Sequence, residues 1–506
     1  MLPLDGHSLD LDDVVRVARR GERVRLSPAA AKRVDASRAA LETLVAKGSV
    51  AYGIKTGFGE LSNVTIPDAD VKRLQVNLLR SHAVGQGEPL RTDEVRAALL
   101  LRANTFAMGV SGVRRVLVAR MIEFLNRGVH PVIPSRGSLG ASGDLAPLAH
   151  MGLVLMGEGR AEHGGRILPA QDALVRAGLK PLTLQSKEGI AIINGTSVMA
   201  GVGALVVHDA CGLLKDAQVA ASMSFEALRG SPKPYDDRVI GLKPQQGAVD
   251  VASNMRRLLR ASEIIPSHKG PHKVQDPYTL RCIPQVLGAC RAALDHAAAT
   301  LQIEMNAATD NPLVFPDGRT MNGGNFHGQA LAMALDYVAL AMAVLAGFTE
   351  RRIARLVDTR LSDLPPFLTK KSGLHSGMMI LQYVAAGYAS DNKVLAHPAS
   401  ADSIPTSANQ EDWVPMGMSA ALKAREAMEN ARRVVAMEFL AAAQGLEFLA
   451  PLRAGKGPRA AHAAIRTKVA PLVDDRSMAE DVECILGWMK DGTIVEAAER
   501  SAGRLT

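Results

Sequence analysis

Residues 331–356 read LAMALDYVALAMAVLAGFTERRIARL. Apolar side chains point from nearly every face of this stretch until the Arg351–Arg352 pair. A helix of that kind is buried all round, inside a bundle. Further along, 418–444 places Met428, Ala431, Val435 and Phe439 on one helical stripe. Hydrophobic residues make up 47% of the 506, aromatics only 4%. Ala, Leu, Val and Met therefore supply the apolar mass, which favours packed helices over aromatic-rich sheets. Only 167–168 and 313–315 read as extended. Short amphipathic helices are expected in 1–50, with Ser27 as an N-cap and Pro28 at N1. Gly53, Gly57 and Gly59 break the periodicity over 51–66. That segment reads as a loop, and Tyr52 and Lys55 make it a candidate site wall. Helix returns over 69–128, and another is expected from about 145 to 157. The fold class is mainly α, in two regions. Residues 1–195 form a loop-bearing N-terminal region, and 196–506 an elongated bundle of long helices. Helices apolar on all faces, in a chain with so few aromatics, imply a core shared between subunits, hence a homo-oligomer.

The formal net charge is +8, without a basic tail, a Lys/Arg run or zinc spacing. That pattern argues against nucleic acid as partner and suits an anionic small molecule. Cys211, Cys282, Cys290 and Cys484 are scattered without CxxC spacing, which fits a reducing compartment. The N-terminus carries no basic-then-apolar signal pattern. The longest apolar runs, near 197–207 and 337–348, read as too short to span a bilayer. The expectation is a cytoplasmic protein with no membrane partner.

Between the helices lies GSLGASGDLAPLAHMG, residues 137–152. Ala141-Ser142-Gly143 can build an electrophile from its own backbone. Gly143 has no Cβ, so its amide nitrogen can approach the Ala141 carbonyl carbon and close a five-membered ring. Loss of the Ser142 hydroxyl as water leaves an exocyclic methylene conjugated to that ring. By itself the tripeptide carries little weight, since it occurs by chance roughly once per ~2,500 positions. A small-residue loop with Asp144 as N-cap would look the same.

The surrounding segments supply the weight. They are YGxxTGFG at 52–59, SHA at 81–83, KEGxAxxNGT at 187–196, QDxYxLRC at 275–282, TDNP at 309–312, GGNFHG at 323–328 and SANQED at 407–412. In this order the chain resembles, over nearly its whole length, the histidine ammonia-lyases, within the family of aromatic amino-acid ammonia-lyases and aminomutases. The resemblance implies a fumarase/aspartase-like helical fold and a homotetramer with shared active sites. It implies that Ala141, Ser142 and Gly143 cyclise to 4-methylidene-imidazol-5-one (MIO), with no external cofactor or metal. Tyr52 matches the family's base, and Tyr278 a catalytic Tyr supplied by a neighbouring subunit. Arg281 matches the residue that holds the substrate carboxylate. Asn194 and Gln275 match amides lining the MIO and the carboxylate. Asn325 and Phe326 match residues beside the MIO and the substrate.

The chemistry explains the need for such a group. A β-proton of an amino acid is barely acidic, and ammonia leaves an unactivated carbon poorly. An electrophile that takes the amine covalently, with a placed base, answers both problems. A phenol titrates near ~10, so Tyr52 requires neighbouring positive charge or donors to act as phenolate. Substrate choice rests on ring polarity. A buried polar group left unpaired by the wrong ring costs about 1–3 kcal/mol. Ser81-His82 and Glu411 match the histidine-acting members, Glu411 as acceptor for an imidazole N–H. Lys55 and Trp413 depart from them, where Asn and His are usual. Lys55 facing the pocket would depress the Tyr52 pKa or favour an anionic ring substituent. The expected reaction is L-histidine to trans-urocanate and ammonia. Phenylalanine or tyrosine ammonia-lyase, or an aminomutase, stands as the alternative. A catalytically dead helical scaffold would have lost the Ser142 or Tyr52 residue type. Elimination from a histidine betaine would not need Ala141-Ser142-Gly143, because a quaternary ammonium leaves unaided.

Overall fold

The computed structural model describes residues 1–47, 56–57, 63–268 and 274–506. Tyr52 and Lys55 lie outside the described residues, as does most of the 51–66 loop. The chain is mainly helical, with four small sheets of two or three strands among the described residues. It divides into two compact units. The first comprises Met1–His208, Ala297–Asp336 and Pro398–Leu422, and the second the remainder. This division differs from a single cut at 195/196. Residues 297–336 and 398–422, with their TDNP, GGNFHG and SANQED segments, return to the first unit, which holds the Ala-Ser-Gly turn.

In the first unit the local signals act as the sequence reads. Ser27 accepts from the Ala30 amide at 3.1 Å and Pro28 opens the helix Pro28–Ala46. Asp10 caps Leu11–Arg20 with a reciprocal capping box. The central helix, Thr92–Ala107, is buried at every residue from Glu94 onward. It packs against Leu11–Arg20 and Arg115–Arg127. The expected helix over 69–128 is in fact several: Val71–His82, Thr92–Ala107 and Arg115–Arg127, parted by a strand at Gln86–Pro89. Pro89 and the Met108–Val113 turn, with Gly109 and Gly112 at positive φ, account for the breaks. Leu145–Leu155 packs on Val71–His82 and Glu188–Ile193. Strands Arg166–Pro169 and Leu313–Val314 fall where extended chain was expected.

Three long helices run through the division: Ser197–Ala227, Gln329–Val357 and Gly417–Glu447. The first two contain the apolar runs 197–207 and 337–348 and correct the reading of their length. At 31 and 29 residues both are long and apolar enough to cross a bilayer. Polar residues such as His208 and Asp209 end the apolar run but not the helix. The most apolar windows are 78% and 61% buried within the protein, as expected of core helices. Burial of Gln329–Val357 is incomplete: Met333, Tyr337, Leu340 and Val344 form an exposed stripe. Met428, Ala431, Val435 and Phe439 are fully buried.

The second unit ties its portions of the three long helices together through one buried ion pair. Arg352 Nη2 lies 2.8 Å from Glu438 Oε2, and Ser224 donates to Glu438 Oε1 at 2.7 Å. Both charged side chains are wholly inaccessible. Losing one partner strands the other charge in a low dielectric, whereas replacing both with apolar groups does not. Glu438→Leu should therefore cost about 3–5 kcal/mol of stability. The double substitution Glu438→Leu, Arg352→Met should recover most of it, as read from unfolding midpoints. Additive losses would contradict the coupling.

Candidate active site

The Ala141–Gly143 turn is clamped by a second glycine-bearing segment of the first unit. The Gly143 amide donates back to the Gly140 carbonyl at 3.0 Å, and Gly195 N donates to Ser142 O at 2.9 Å. The Asp144 amide donates to Gly195 O at 2.8 Å. Gly143 has φ +90°, and a Cβ there would sit 2.2 Å from Gly195 O. Gly195 has φ +116°, and a Cβ there would sit 2.4 Å from Thr309 Oγ1. Both positions admit only glycine. Ser142 has φ +48°, a conformation that costs a residue with a side chain. The turn is thus held tightly against the Gly195 segment, and its third residue carries no Cβ. Those features fit formation of MIO from Ala141, Ser142 and Gly143.

Asp144 serves a different helix from the one it opens. It stands at the N-cap position of Leu145–Leu155 but makes no side-chain cap bond there. Its Oδ2 instead accepts from Val198 N and Met199 N, both at 2.9 Å, at the start of Ser197–Ala227. Burial pushes the Asp144 carboxyl up to about 7, while these donors, Ser138 and the charge of Arg102 pull it down. Behind the Gly195 segment lies a second buried pair. Lys187 Nζ meets Asp310 Oδ2 at 2.8 Å with neither side chain accessible.

A cavity of about 500 Å³ opens on this turn. Ala141, Ser142, Phe326, Glu411 and Trp413 line it. Phe326 and Glu411 therefore share a cavity wall with Ala141 and Ser142. Asn311, Asn322 and His327 also line it and were not singled out, although they lie in or beside the TDNP and GGNFHG segments. Trp413 reaches the cavity: its indole N–H donates to Gln329 Oε1 at 3.1 Å, and His327 Nε2 bonds its carbonyl at 3.2 Å. Glu411 Oε2 accepts from Thr406 Oγ1 at 3.0 Å. The Glu411 charge is felt at His82, whose Nδ1 lies 3.0 Å from Ser81 Oγ. Burial depresses the His82 pKa and Glu411 opposes that shift.

Two amides take other partners. Asn194 Nδ2 turns back to Ile190 O at 3.1 Å, and the residue is 5% exposed. Asn325, exposed, donates to Ala308 O at 3.2 Å.

Gln275, Tyr278 and Arg281 belong to the second unit. Gln275 and Tyr278 are exposed. The Arg281 guanidinium stacks 4.7 Å from the Tyr278 ring centroid. Tyr235 anchors this segment through its hydroxyl, which donates to Leu280 O. The Arg281 Nε is buried and has no acceptor among the described residues. A buried donor in that state suits a carboxylate arriving from outside.

The family model for aromatic amino acid lyases matches residues 9–467. The chain belongs to the aromatic amino acid lyases. This lyase is 52% identical over 501 residues to a histidine ammonia-lyase of Symbiobacterium thermophilum, covering 99% of each chain. Its fold matches the crystal structure of histidine ammonia-lyase from Trypanosoma cruzi, with a TM-score of 0.92 at 38% identity. That match covers 99% of this chain and 95% of the other. It also matches a tyrosine aminomutase from Streptomyces globisporus, with a TM-score of 0.95, 36% identity and full coverage of both. The lyase is a carbon–nitrogen lyase by family.

The electrostatic coupling of His82 and Glu411 can be tested directly. The negative charge of Glu411 favours imidazolium at His82, so Glu411→Gln should move the His82 pKa further down. The pH dependence of the His82 ring signals in a ¹³C-histidine-labelled sample reads this. An unchanged or upward pKa would show that the two groups are not coupled.

Proposed function

We propose that this lyase eliminates ammonia from L-histidine to give trans-urocanate, through an MIO electrophile formed from Ala141, Ser142 and Gly143. The observation that carries the reading is the strained, glycine-clamped Ser142 turn opening on a cavity that also holds Glu411. Once formed, the MIO supplies an electron-poor methylene for the substrate amine. Glu411 accepts a hydrogen bond from the imidazole N–H. His82, kept neutral by burial, completes the ring pair without repelling a protonated ring. Phe326 packs beside the substrate and the turn. Arg281 offers a bidentate fork to the carboxylate, its Nε still unpaired. Gln275 supports that end with its amide group. Tyr52 takes the β-proton on its phenolate oxygen as the Cα–N bond breaks, and Lys55, three residues on, stabilises the phenolate. Tyr278 serves a site shared between subunits.

A homotetramer belongs to the same proposal. The exposed Met333, Tyr337, Leu340 and Val344 stripe, with Ile380, Tyr383 and Val384 exposed on Met379–Leu395, leaves more apolar helix surface open than a solitary chain keeps. Light scattering of the purified protein should give the mass of four chains. No nucleic acid or membrane partner enters this reading, and the setting is cytoplasmic.

Separate incubations with L-His, L-Phe and L-Tyr, followed by the ultraviolet absorbance of the conjugated acids, decide the substrate. L-His should be turned over fastest, and preference for either other amino acid, or release of a β-amino acid, would overturn the assignment. Ser142→Ala should abolish turnover in a folded protein. Glu411→Gln should depress L-His turnover more than any residual L-Phe turnover.

A further inference from the structure

Arg102 and Arg352 are the two arginines fully buried among the described residues, and none of the chemistry above uses Arg102. Arg102 projects from the central helix Thr92–Ala107. Its Nη1 donates to the Asn194 carbonyl and, at 3.4 Å, to Ala191 O. Its Nη2 reaches Thr309 Oγ1 at 3.5 Å, and its Cζ lies 4.9 Å from the Phe106 ring centroid. A Cβ on Gly195 would come within 3.0 Å of Nη1, so the guanidinium forms the floor of the Gly195 peptide. Its Nε has no acceptor among the described residues. Asp144 and Asp310 are the carboxylates that act on it by charge, and burial brings its pKa down to about 10, leaving it a cation near neutrality. An apolar side chain of similar volume would pack this helix without the cost of burying a charge.

We propose that Arg102 is a positioning residue for ring closure at Ala141–Ser142–Gly143. By holding the Asn194 carbonyl it sets the Gly195 peptide, whose N–H and C=O grip Ser142 O and Asp144 N on either side of the reacting nitrogen. This rests on the proposal that MIO forms. In closure the Gly143 nitrogen bonds to the Ala141 carbonyl carbon. The carbonyl oxygen leaves as water with the protons of the Gly143 and Ser142 nitrogens, which sets a C=N bond between Ala141 C and Ser142 N. The Ser142 hydroxyl leaves as a second water with its Cα proton, giving the Cα=Cβ bond. No oxidant or reductant is needed. What the protein contributes is compression of the turn, so a loosened Gly195 peptide slows closure even in a folded chain.

The test reads maturation, not activity. Intact mass is followed against time after synthesis for the wild-type full chain, Arg102→Met, Arg102→Lys and Glu438→Leu. The last is a control destabilised within the second unit. The wild type should become lighter by two water molecules. Arg102→Met should fold, as judged by circular dichroism, yet mature about a hundredfold more slowly. Arg102→Lys, which keeps the charge but not the fork, should fall between. Glu438→Leu should mature at the wild-type rate. A folded Arg102→Met that matures at the wild-type rate overturns the proposal. Should that variant not fold, wild-type maturation in Arg102→Lys overturns it. Slowing of Glu438→Leu by the same factor also overturns it, because instability would then be the cause. A wild-type chain that keeps its full mass overturns the MIO proposal beneath it.

Discussion

The closest backbone approach at the site is the one between Gly143 and Gly195, and the rest of the first unit is arranged around it. Two peptide hydrogen bonds, Gly195 N to Ser142 O and Asp144 N to Gly195 O, hold the two segments in parallel. At this spacing no Cβ fits at Gly143, and Thr309 excludes one at Gly195. Each bond by itself contributes only about 0.5–1.5 kcal/mol. That is too little to hold Ser142 at positive φ unless the flanking elements are rigid. Rigidity comes from buried polar groups. Asp144 reaches the first amides of Ser197–Ala227, and Lys187 pairs with Asp310 beside Thr309.

These polar groups explain why the interior carries charges that a stability argument alone would remove. Lys187, Asp310, Arg102 and Asp144 are all buried. They comprise two cations and two carboxylates, so the cluster closes near neutrality. The members lie on four separate stretches of sequence. Hydrophobic contacts are non-directional and would let these stretches slide by fractions of an ångström. Hydrogen-bonded charges do not slide without exposing an unpaired group. The cost of burial is thus exchanged for a fixed register.

Much of the architecture could be read from the sequence. Apolar density over 331–356, the Ser27-Pro28 start and the stripe at Met428, Ala431, Val435 and Phe439 all depend on local patterning, which survives in the fold. The two units were not legible, because 297–336 and 398–422 rejoin the first by tertiary contacts that leave no local signature. The breaks within 69–128 were missed because helical periodicity continues on either side of Pro89 and Gly109. At the site, residue types and motif order pointed to Ser142, Phe326 and Glu411. What they did not carry was side-chain direction. Asn194 has the right composition for a site amide, but its side chain bonds Ile190 O. Asn311 and His327 reach the cavity from positions where any polar residue of a loop would look alike.

Trp413 shows how the clamp and the cavity meet. It sits two residues past Glu411, and its own carbonyl and indole N–H are both taken, by His327 and Gln329. Its ring is therefore a fixed wall of the cavity that Glu411 also lines. Where a cavity excludes water, a carboxylate gains more from an N–H partner and loses more when left without one. An imidazole supplies that partner and a phenyl ring does not. On the proposed function, then, the ring preference falls to Glu411, since the indole N–H at 413 is already taken by Gln329. The loop segment that carries both residues is tied to the reactive turn by Met416 N to Leu139 O at 2.9 Å. The proposed ring reader and the glycine-clamped turn are therefore tied through one piece of backbone.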